Sequence, residues 1–302
     1  MKKFLIAGAM ATALTLTSMT ADAARYFTQG TAQGSKTPYG DNVKIGRYVQ
    51  ASDARIYYEV YGKGTPILIL HGGGVGTPYE LGKILDELKK NHTLIVMSTR
   101  GHGRSEIGHS PLTFEQKVDD ALAVLDEVTR QPVQIIGFSD GAYTAYKIAE
   151  LYPDRVERIV AIGAGTLEKG FFPSEMNFSE LEKFDEQFFA EQRKIRPEAE
   201  RWKEFMSDYM KFWNRQSFGA ETFGEIKCPV LLMVGDEDDH APVITVLAAH
   251  QMIENSRLCV VPKAWHSAFL DNYAVTAPAL RQFIESPLKD LVTSKKVDYN
   301  SK

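Results

Sequence analysis

The sequence predicts an α/β fold: a mostly parallel sheet flanked by helices. Six short apolar runs recur along the chain, and segments with helical periodicity separate most of them. Runs that are apolar throughout are typical of buried parallel strands, and alternation of strand and helix covers both faces of the sheet with helices. One helical, aromatic-rich interval without a strand pattern breaks this alternation and predicts an insertion.

The predicted sheet has eight strands. Residues 43–62 are rich in Tyr and Val and predict two strands of an antiparallel pair. Six buried strands are then expected at Ile67–Leu70, Leu94–Met97, Val133–Ile136, Ile159–Ile162, Val230–Val234 and Leu258–Val261. The helices between them are expected at Tyr79–Lys89, Phe114–Thr129, Ala142–Leu151 and Val243–Ile253.

The aromatic interval covers residues 166–225 and is interpreted as a helical cap. Most of its Phe, Tyr and Trp side chains are expected to form a small core, while the inner face forms an apolar wall over a substrate. This divides the chain into a core of residues 24–165 and 226–286, the cap, and a polar, Lys-rich flexible tail at 287–302.

Composition excludes several classes of protein. The 302 residues are 44% hydrophobic and 25% charged with a net charge of −4, which fits a globular chain and not a disordered one. An acidic balance argues against a nucleic-acid partner. Two Cys are too few for a disulfide scaffold or a four-Cys zinc site, and no His or Cys pair has ligand spacing. We therefore expect neither a metal nor another cofactor.

Residues 1–23 have the pattern of a cleavable signal peptide. A basic start precedes an apolar run, and Ala21-Asp22-Ala23 supplies the small residues that signal peptidases recognise. The alternative is a membrane anchor, but the run is shorter than the about 20 apolar residues of a membrane span. Cleavage after Ala23 predicts a periplasmic or secreted protein without a stable membrane anchor, and the oligomeric state stays open.

The motif Gly137-Phe138-Ser139-Asp140-Gly141 matches G-x-S-x-G, the signature of a nucleophilic serine. Its position carries more weight than the match, because it follows a predicted strand and opens a predicted helix. That strand–turn–helix setting projects Ser139 above the sheet, and the helix N-terminus favours developing negative charge. We therefore predict Ser139 as the nucleophile.

A serine hydroxyl needs a base, and His266 has the expected position. It follows the last predicted strand, where the reacting groups of an open parallel sheet collect, and it is the last His of the chain. The orienting acid should follow the preceding strand. Strand position alone leaves that choice open among Asp236, Glu237, Asp238 and Asp239.

Two backbone N–H groups must stabilise the oxyanion of an acyl-transfer reaction. The amide of Asp140, directly after the nucleophile, is one candidate. The second is expected in the loop His71-Gly72-Gly73-Gly74, because glycine lets the backbone approach a ligand closely.

This combination of motifs resembles the α/β-hydrolase superfamily. The resemblance covers residues 43–285 and rests on His71-Gly-Gly-Gly, Arg100-Gly-His-Gly-Arg-Ser, Gly-Phe-Ser139-Asp-Gly, Gly235-Asp-Glu-Asp238 with Pro242, and His266. It implies that Asp238 is the acid of a Ser-His-Asp triad and that Gly73 is the second oxyanion donor, with Gly74 as the alternative. It also implies that the aromatic insertion is the helical cap of the superfamily.

The resemblance also implies a substrate class. A serine nucleophile excludes the branches that use Asp, and Asp140 after Ser139 is similar to the biphenyl-hydrolase-like group that includes valacyclovirase. There the corresponding side chain helps to bind the amino group of aminoacyl esters. We therefore expect hydrolysis of a small-molecule carboxylic ester, with aminoacyl esters as a candidate class.

Other functions stay open at this point. The His71-Gly-Gly-Gly loop also occurs in hydrolases of carbon–carbon bonds, and the same triad serves amidases and thioesterases. From another class, a hydrolase-like fold could bind a small molecule without catalysis.

Overall fold

The computed structural model describes residues 24–292. The predicted signal peptide, residues 1–23, and residues 293–302 of the predicted tail lie outside the described residues. Within the described range, none of the helices combines the length and the apolar character that crossing a bilayer requires.

The described residues form one eight-stranded sheet, as predicted. The strands are β1 (Arg47–Ala51), β2 (Ala54–Tyr61), β3 (Thr65–Leu70), β4 (His92–Met97), β5 (Val133–Phe138), β6 (Val156–Ile162), β7 (Val230–Gly235) and β8 (Ser256–Val261). Their order across the sheet is β1-β2-β4-β3-β5-β6-β7-β8. β2 runs antiparallel to β1 and β4, and all other neighbours are parallel. The carboxyl ends of β3 and β5 to β8 therefore share one edge.

The strands differ in burial across the sheet. β5 and β7 are buried along their whole length. β8 was expected to be equally buried, but it has only one neighbouring strand and Val260 is 41% exposed. An edge strand is in contact with solvent on its unpaired side, so the apolar side chains of β8 are only partly buried.

Helices cover both faces of the sheet, as the alternation of elements predicted. In the described residues they are α1 (Gly82–Leu88), α2 (Phe114–Val128), α3 (Asp140–Leu151), α4 (Phe178–Phe184), α5 (Glu186–Ile195), α6 (Trp202–Asn214), α7 (Ala220–Phe223), α8 (Val243–Met252), α9 (Ala268–Asp271), α10 (Tyr273–Glu285) and α11 (Leu288–Leu291). One core cluster holds apolar residues of α2, α3, α8 and the cap, and the other holds those of α1 and α10.

Helix α2 shows why these segments are helical. Thr113 caps its N-terminus by accepting a hydrogen bond from the Gln116 N–H at 3.0 Å. Its apolar stripe at Phe114, Val118, Ala121 and Leu125 is buried. The spacing of apolar residues therefore predicted both the helix and the face that it buries.

Helices α4 to α7 lie between β6 and β7, within the predicted cap at 166–225. Most of the cap aromatics are buried: Phe188, Phe189 and Trp202 are at most 1% exposed, and the Phe189 ring contacts Phe188 edge to face and packs against Trp202. Phe184 is the opposite case, with 75% of its surface exposed. The cap thus has its own aromatic core, which joins that of the sheet.

The start of the predicted flexible tail is helical. Leu291 of α11 is buried in the cluster that contains Leu280, Phe283 and Ile284 of α10. An apolar side chain that reaches the core holds this segment in place, so residues 287–292 pack on the domain.

Candidate active site

Ser139 lies on the sharp turn between β5 and α3, with φ of 50° and ψ of −115°. A non-glycine residue with positive φ is strained and marks a backbone position that its surroundings impose. The flanking glycines permit it: a Cβ at Gly137 would lie 2.5 Å from the Gly141 oxygen, and one at Gly141 would lie 2.2 Å from the Leu70 oxygen. The Ser139 N–H donates to the Ile162 carbonyl at 2.8 Å, which ties the turn to β6.

Asp238 and His266 meet across two loops. His266 Nδ1 lies 2.9 Å from Asp238 Oδ2 and 3.0 Å from Oδ1. The backbone N–H groups of His240 and Ala241 also donate to Asp238 Oδ1, each at 2.9 Å. Burial raises the pKa of Asp238, but these hydrogen bonds and the His266 charge outweigh burial and hold the pKa below its usual range.

The neighbouring acids have other environments. Asp236, Glu237 and Asp239 are exposed, whereas Asp238 is 5% exposed. The structure thus brings to His266 the acid that the family resemblance selected and that strand position left open.

The His266 ring is enclosed on three sides. Its centroid lies 4.9 Å from that of Phe138 and 4.6 Å from that of His240. On the third side is Gly163, which has φ of +65° and whose Cβ would lie 2.9 Å from His266 Cε1. We did not predict Gly163 as part of the site, although its place directly after the apolar run of β6 was a usable signal.

Two other His near the site are structural. The Thr99 N–H donates to His71 Nε2 at 3.0 Å, so the His71 proton is on Nδ1, which donates to the Gly72 carbonyl at 2.6 Å. Burial lowers the pKa of His71 to about 4 and that of His102 further below its usual value. Both rings are therefore neutral and hold the loops after β3 and β4 together.

The loop Gly72–Gly74 lies beside Ser139 in the wall of one cavity. The Asp140 N–H begins α3, so it has no acceptor within the helix and can point at a ligand. Gly73, the predicted second donor, and Gly74, its alternative, both line this cavity. At Gly73 a Cβ would lie 2.8 Å from Asp140 Oδ2, so this position requires glycine.

The cavity has a volume of about 380 Å³ and contains Ser139 and His266 in its wall. Its cap side is apolar and is formed by Phe172, Met176, Leu181, Met206, Met210 and Trp213. An N-terminal strap, Tyr26-Phe27-Thr28, forms a further wall that sequence reasoning missed. The one carboxyl group that faces this cavity from the described residues is Glu80, on the 3-10 turn Pro78–Leu81.

A model of the alpha/beta hydrolase family matches residues 67–279, which is most of the chain. The protein belongs to the alpha/beta hydrolase family. It is 30% identical over 114 residues to the hydrolase YraK of Bacillus subtilis, a match that covers 37% of this chain and 42% of that relative. The matched segment thus spans less than half the length of that relative.

Two longer matches span most of this chain. Serine hydrolase BPHL of Homo sapiens is 24% identical over 78% of this chain and 85% of its own length. The meta-cleavage product hydrolase CumD of Pseudomonas fluorescens IP01 superposes with a TM-score of 0.67, at 18% identity, over 80% of this chain and 98% of its own. The second likeness shows the shared fold.

The structure contradicts the expectation that the Asp140 side chain is available to a substrate. Its carboxylate is buried and accepts hydrogen bonds from Lys117 Nζ, at 2.7 and 2.6 Å, and from the Tyr209 hydroxyl. A buried carboxylate that already has an ammonium partner has no charge left for a second cation. Lys117 gave a signal in the sequence, because it lies on the apolar stripe of α2 between Phe114 and Val118.

One cluster in the described residues has the donor atoms of a cation site. Ligand atoms of Asp238, His240 and His266 lie within 4.8 Å of one another. His240 and His266 lie on different loops, so the spacing of His residues along the chain did not predict this cluster. Two members of this cluster, Asp238 and His266, are the hydrogen-bonded pair described above.

Proposed function

We propose that the protein is a serine hydrolase that cleaves small-molecule carboxylic esters through an acyl-enzyme on Ser139. The observation that carries this proposal is the meeting of the strained Ser139 turn and the Asp238–His266 pair at one cavity. The serine hydrolase among the relatives supports the same nucleophile.

In this mechanism Ser139 Oγ attacks the ester carbonyl carbon while His266 Nε2 accepts the hydroxyl proton. The hydrogen bond from His266 Nδ1 to Asp238 selects the tautomer with a free Nε2 lone pair, and the carboxylate stabilises the imidazolium that forms. The N–H groups of Gly73 and Asp140 stabilise the oxyanion. His266 then protonates the leaving alkoxide, and a water molecule activated by His266 hydrolyses the acyl-enzyme.

The cavity supports a substrate of limited size and mostly apolar character. Its volume of about 380 Å³ is within the range of small-molecule sites, and the cap closes it with aromatic and Met side chains. Residues of the cap and of the N-terminal strap line the same cavity as Ser139, which favours a small molecule over a polymer.

The experiment that tests the proposal compares wild type with Ser139→Ala. We expect wild type to hydrolyse 4-nitrophenyl esters and to be labelled by a fluorophosphonate probe on Ser139, as mapped by peptide mass spectrometry. Ser139→Ala should lose both labelling and all but about 10⁻⁶ of the rate, because without the nucleophile only the oxyanion donors and substrate binding contribute to catalysis. A folded wild type that neither hydrolyses esters nor takes up the probe would favour the binding protein without catalysis.

The same enzyme preparation separates the related reactions. An amide, a thioester and a vinylogous 1,5-diketone of matched size report amidase, thioesterase and carbon–carbon hydrolase activity. A kcat/KM for any of these that exceeds the value for the ester would replace ester hydrolysis as the function of Ser139.

A further inference from the structure

Glu80 is an acid that the proposed mechanism does not use, although it lies in the wall of the same cavity. Its Oε1 atom accepts a hydrogen bond from the Gly72 N–H at 2.7 Å. The carboxyl group also lies against the glycine loop, since a Cβ on Gly72 would be 3.2 Å from Glu80 Oε1 and 2.9 Å from the Phe138 ring. Phe138 in turn packs on His266, so Glu80 is one ring away from the catalytic base.

Glu59 is a fully buried glutamate and shows how this fold satisfies a carboxylate that has a structural role. Glu59 accepts hydrogen bonds from the N–H groups of Gly40 and Asn42 and from the hydroxyls of Tyr57 and Tyr61, at 2.7 to 2.9 Å. Buried carboxylates are normally saturated in this way. Glu80 is half-buried, lines the cavity and accepts one hydrogen bond from the described residues, so its second oxygen is available to a ligand there.

The surroundings of Glu80 contain no counter-ion. No Lys or Arg side chain from residues 24–292 lines the cavity, and its other titratable groups are Tyr26, Tyr143, Tyr209, His240 and His266. Burial raises the pKa of Glu80 to about 8, opposed by the Gly72 N–H. Isolated charge in an apolar cavity is costly, and a bound cation would remove that cost.

We propose that Glu80 forms a subsite for a cationic nitrogen on the substrate, next to the Ser139 nucleophile. The inference rests on the proposed function, because it treats the cavity as the substrate site. The ligand would be an organic ammonium ion whose apolar body packs on the Met and aromatic side chains of the cap. Its N–H groups or positive charge would face the unpaired oxygen of Glu80, the contact that the Asp140 carboxylate cannot provide.

The proposal predicts a defined pH dependence. A carboxyl with a raised pKa is neutral at pH 6.5 and ionises as the pH passes 8. Affinity for a cation that stays charged should therefore rise from pH 6.5 to 9, and affinity for a neutral ligand should not.

The test measures binding of hexylammonium and of 1-hexanol to Ser139→Ala by calorimetry. An equilibrium measurement on this variant is independent of ester hydrolysis, so failure of the proposed function would not be mistaken for failure of the subsite. At pH 9 we expect hexylammonium to bind about tenfold tighter than hexanol, which corresponds to about 1.4 kcal/mol. Adding Glu80→Gln should remove this preference and its pH dependence, whereas Glu225→Gln at an exposed position removes one charge as a control and should change neither.

Three results would overturn the proposal. The first is equal affinity for the two ligands at pH 9. The second is a cation preference that survives Glu80→Gln. The third is an equal loss of affinity for both ligands in Glu80→Gln that Glu80→Asp restores for both. That result would mean that Glu80 positions the Gly72 loop and does not bind the cation.

Discussion

The proposed reaction edge and the cap boundary of this protein are held in place by different means. At the reaction edge, Ser139, Asp238 and His266 lie on short turns after parallel strands, and backbone contacts set their positions. The cap boundary consists of the N-terminal strap and the buried Lys117–Asp140–Tyr209 cluster, and side-chain contacts hold it.

This difference predicts that the two regions have different functions: the reaction edge performs the chemical step, and the cap boundary encloses the cavity. Turns of the reaction edge cannot shift without moving the sheet, so substitutions there should change kcat. The cap boundary depends on a few ionic and aromatic contacts, so substitutions there should change stability and KM. Three substitutions test this division, in order of decreasing expected effect.

The largest effect is expected for Asp238→Asn at the reaction edge. Asparagine would offer an N–H to His266 and favour the wrong tautomer, which lowers kcat by about 10⁴-fold in triads of this type. Asp239→Asn, one residue on and exposed, removes the same charge and should leave kcat within about twofold, since an exposed charge is strongly screened. Ester hydrolysis by both variants checks this, and comparable losses would show that Asp238 is not the orienting acid.

A smaller effect is expected at the cap boundary for Lys117→Met. The substitution leaves the Asp140 carboxylate buried without its cation, which should lower the free energy of unfolding by about 3 kcal/mol. Urea unfolding measures this, and adding Asp140→Asn should restore part of the loss. The exposed Lys211–Asp208 pair supplies the control, because Lys211→Met should cost no more than about 0.5 kcal/mol.

Equal destabilisation by Lys117→Met and Lys211→Met would show that the buried cluster does not stabilise the cap boundary.

The smallest effect is expected for Arg25→Gln at the base of the strap. Arg25 Nη2 lies 2.9 Å from Asp185 Oδ2 of the cap, and the same oxygen accepts the Thr28 N–H at 2.9 Å. Loss of this pair should loosen the wall formed by Tyr26 and Phe27 and raise KM about threefold with kcat unchanged, as for an interaction that binds ground state and transition state equally.

Steady-state kinetics checks the strap prediction, with Arg281→Gln as the control, since its pair with Glu87 is exposed. A fall in kcat with unchanged KM would show that the strap affects the chemical step, as the reaction edge does, and would contradict the proposed division.

Much of the fold was predictable because strands and helices are encoded by local periodicity. The apolar runs identified the strands of the sheet, and the stripe of α2 identified its buried face. The buried Lys117 shows what local periodicity cannot predict. Its position on the apolar stripe indicated that it needs an acidic partner, but that partner, Asp140, is 23 residues away on another helix.

The sequence by itself determined the strand–turn–helix placement of Ser139 and the position of His266 after the last strand, because these depend on neighbours in the chain and on the parallel sheet. Strand position left the acid open among four residues, and the family resemblance selected Asp238. Only the tertiary structure decided which carboxylate is free. Asp140 lies next to the nucleophile but is neutralised by Lys117, whereas Glu80 faces the cavity with one hydrogen bond. Whether a charge can meet a ligand depends on the partners that packing brings to it, and chain position does not encode those partners.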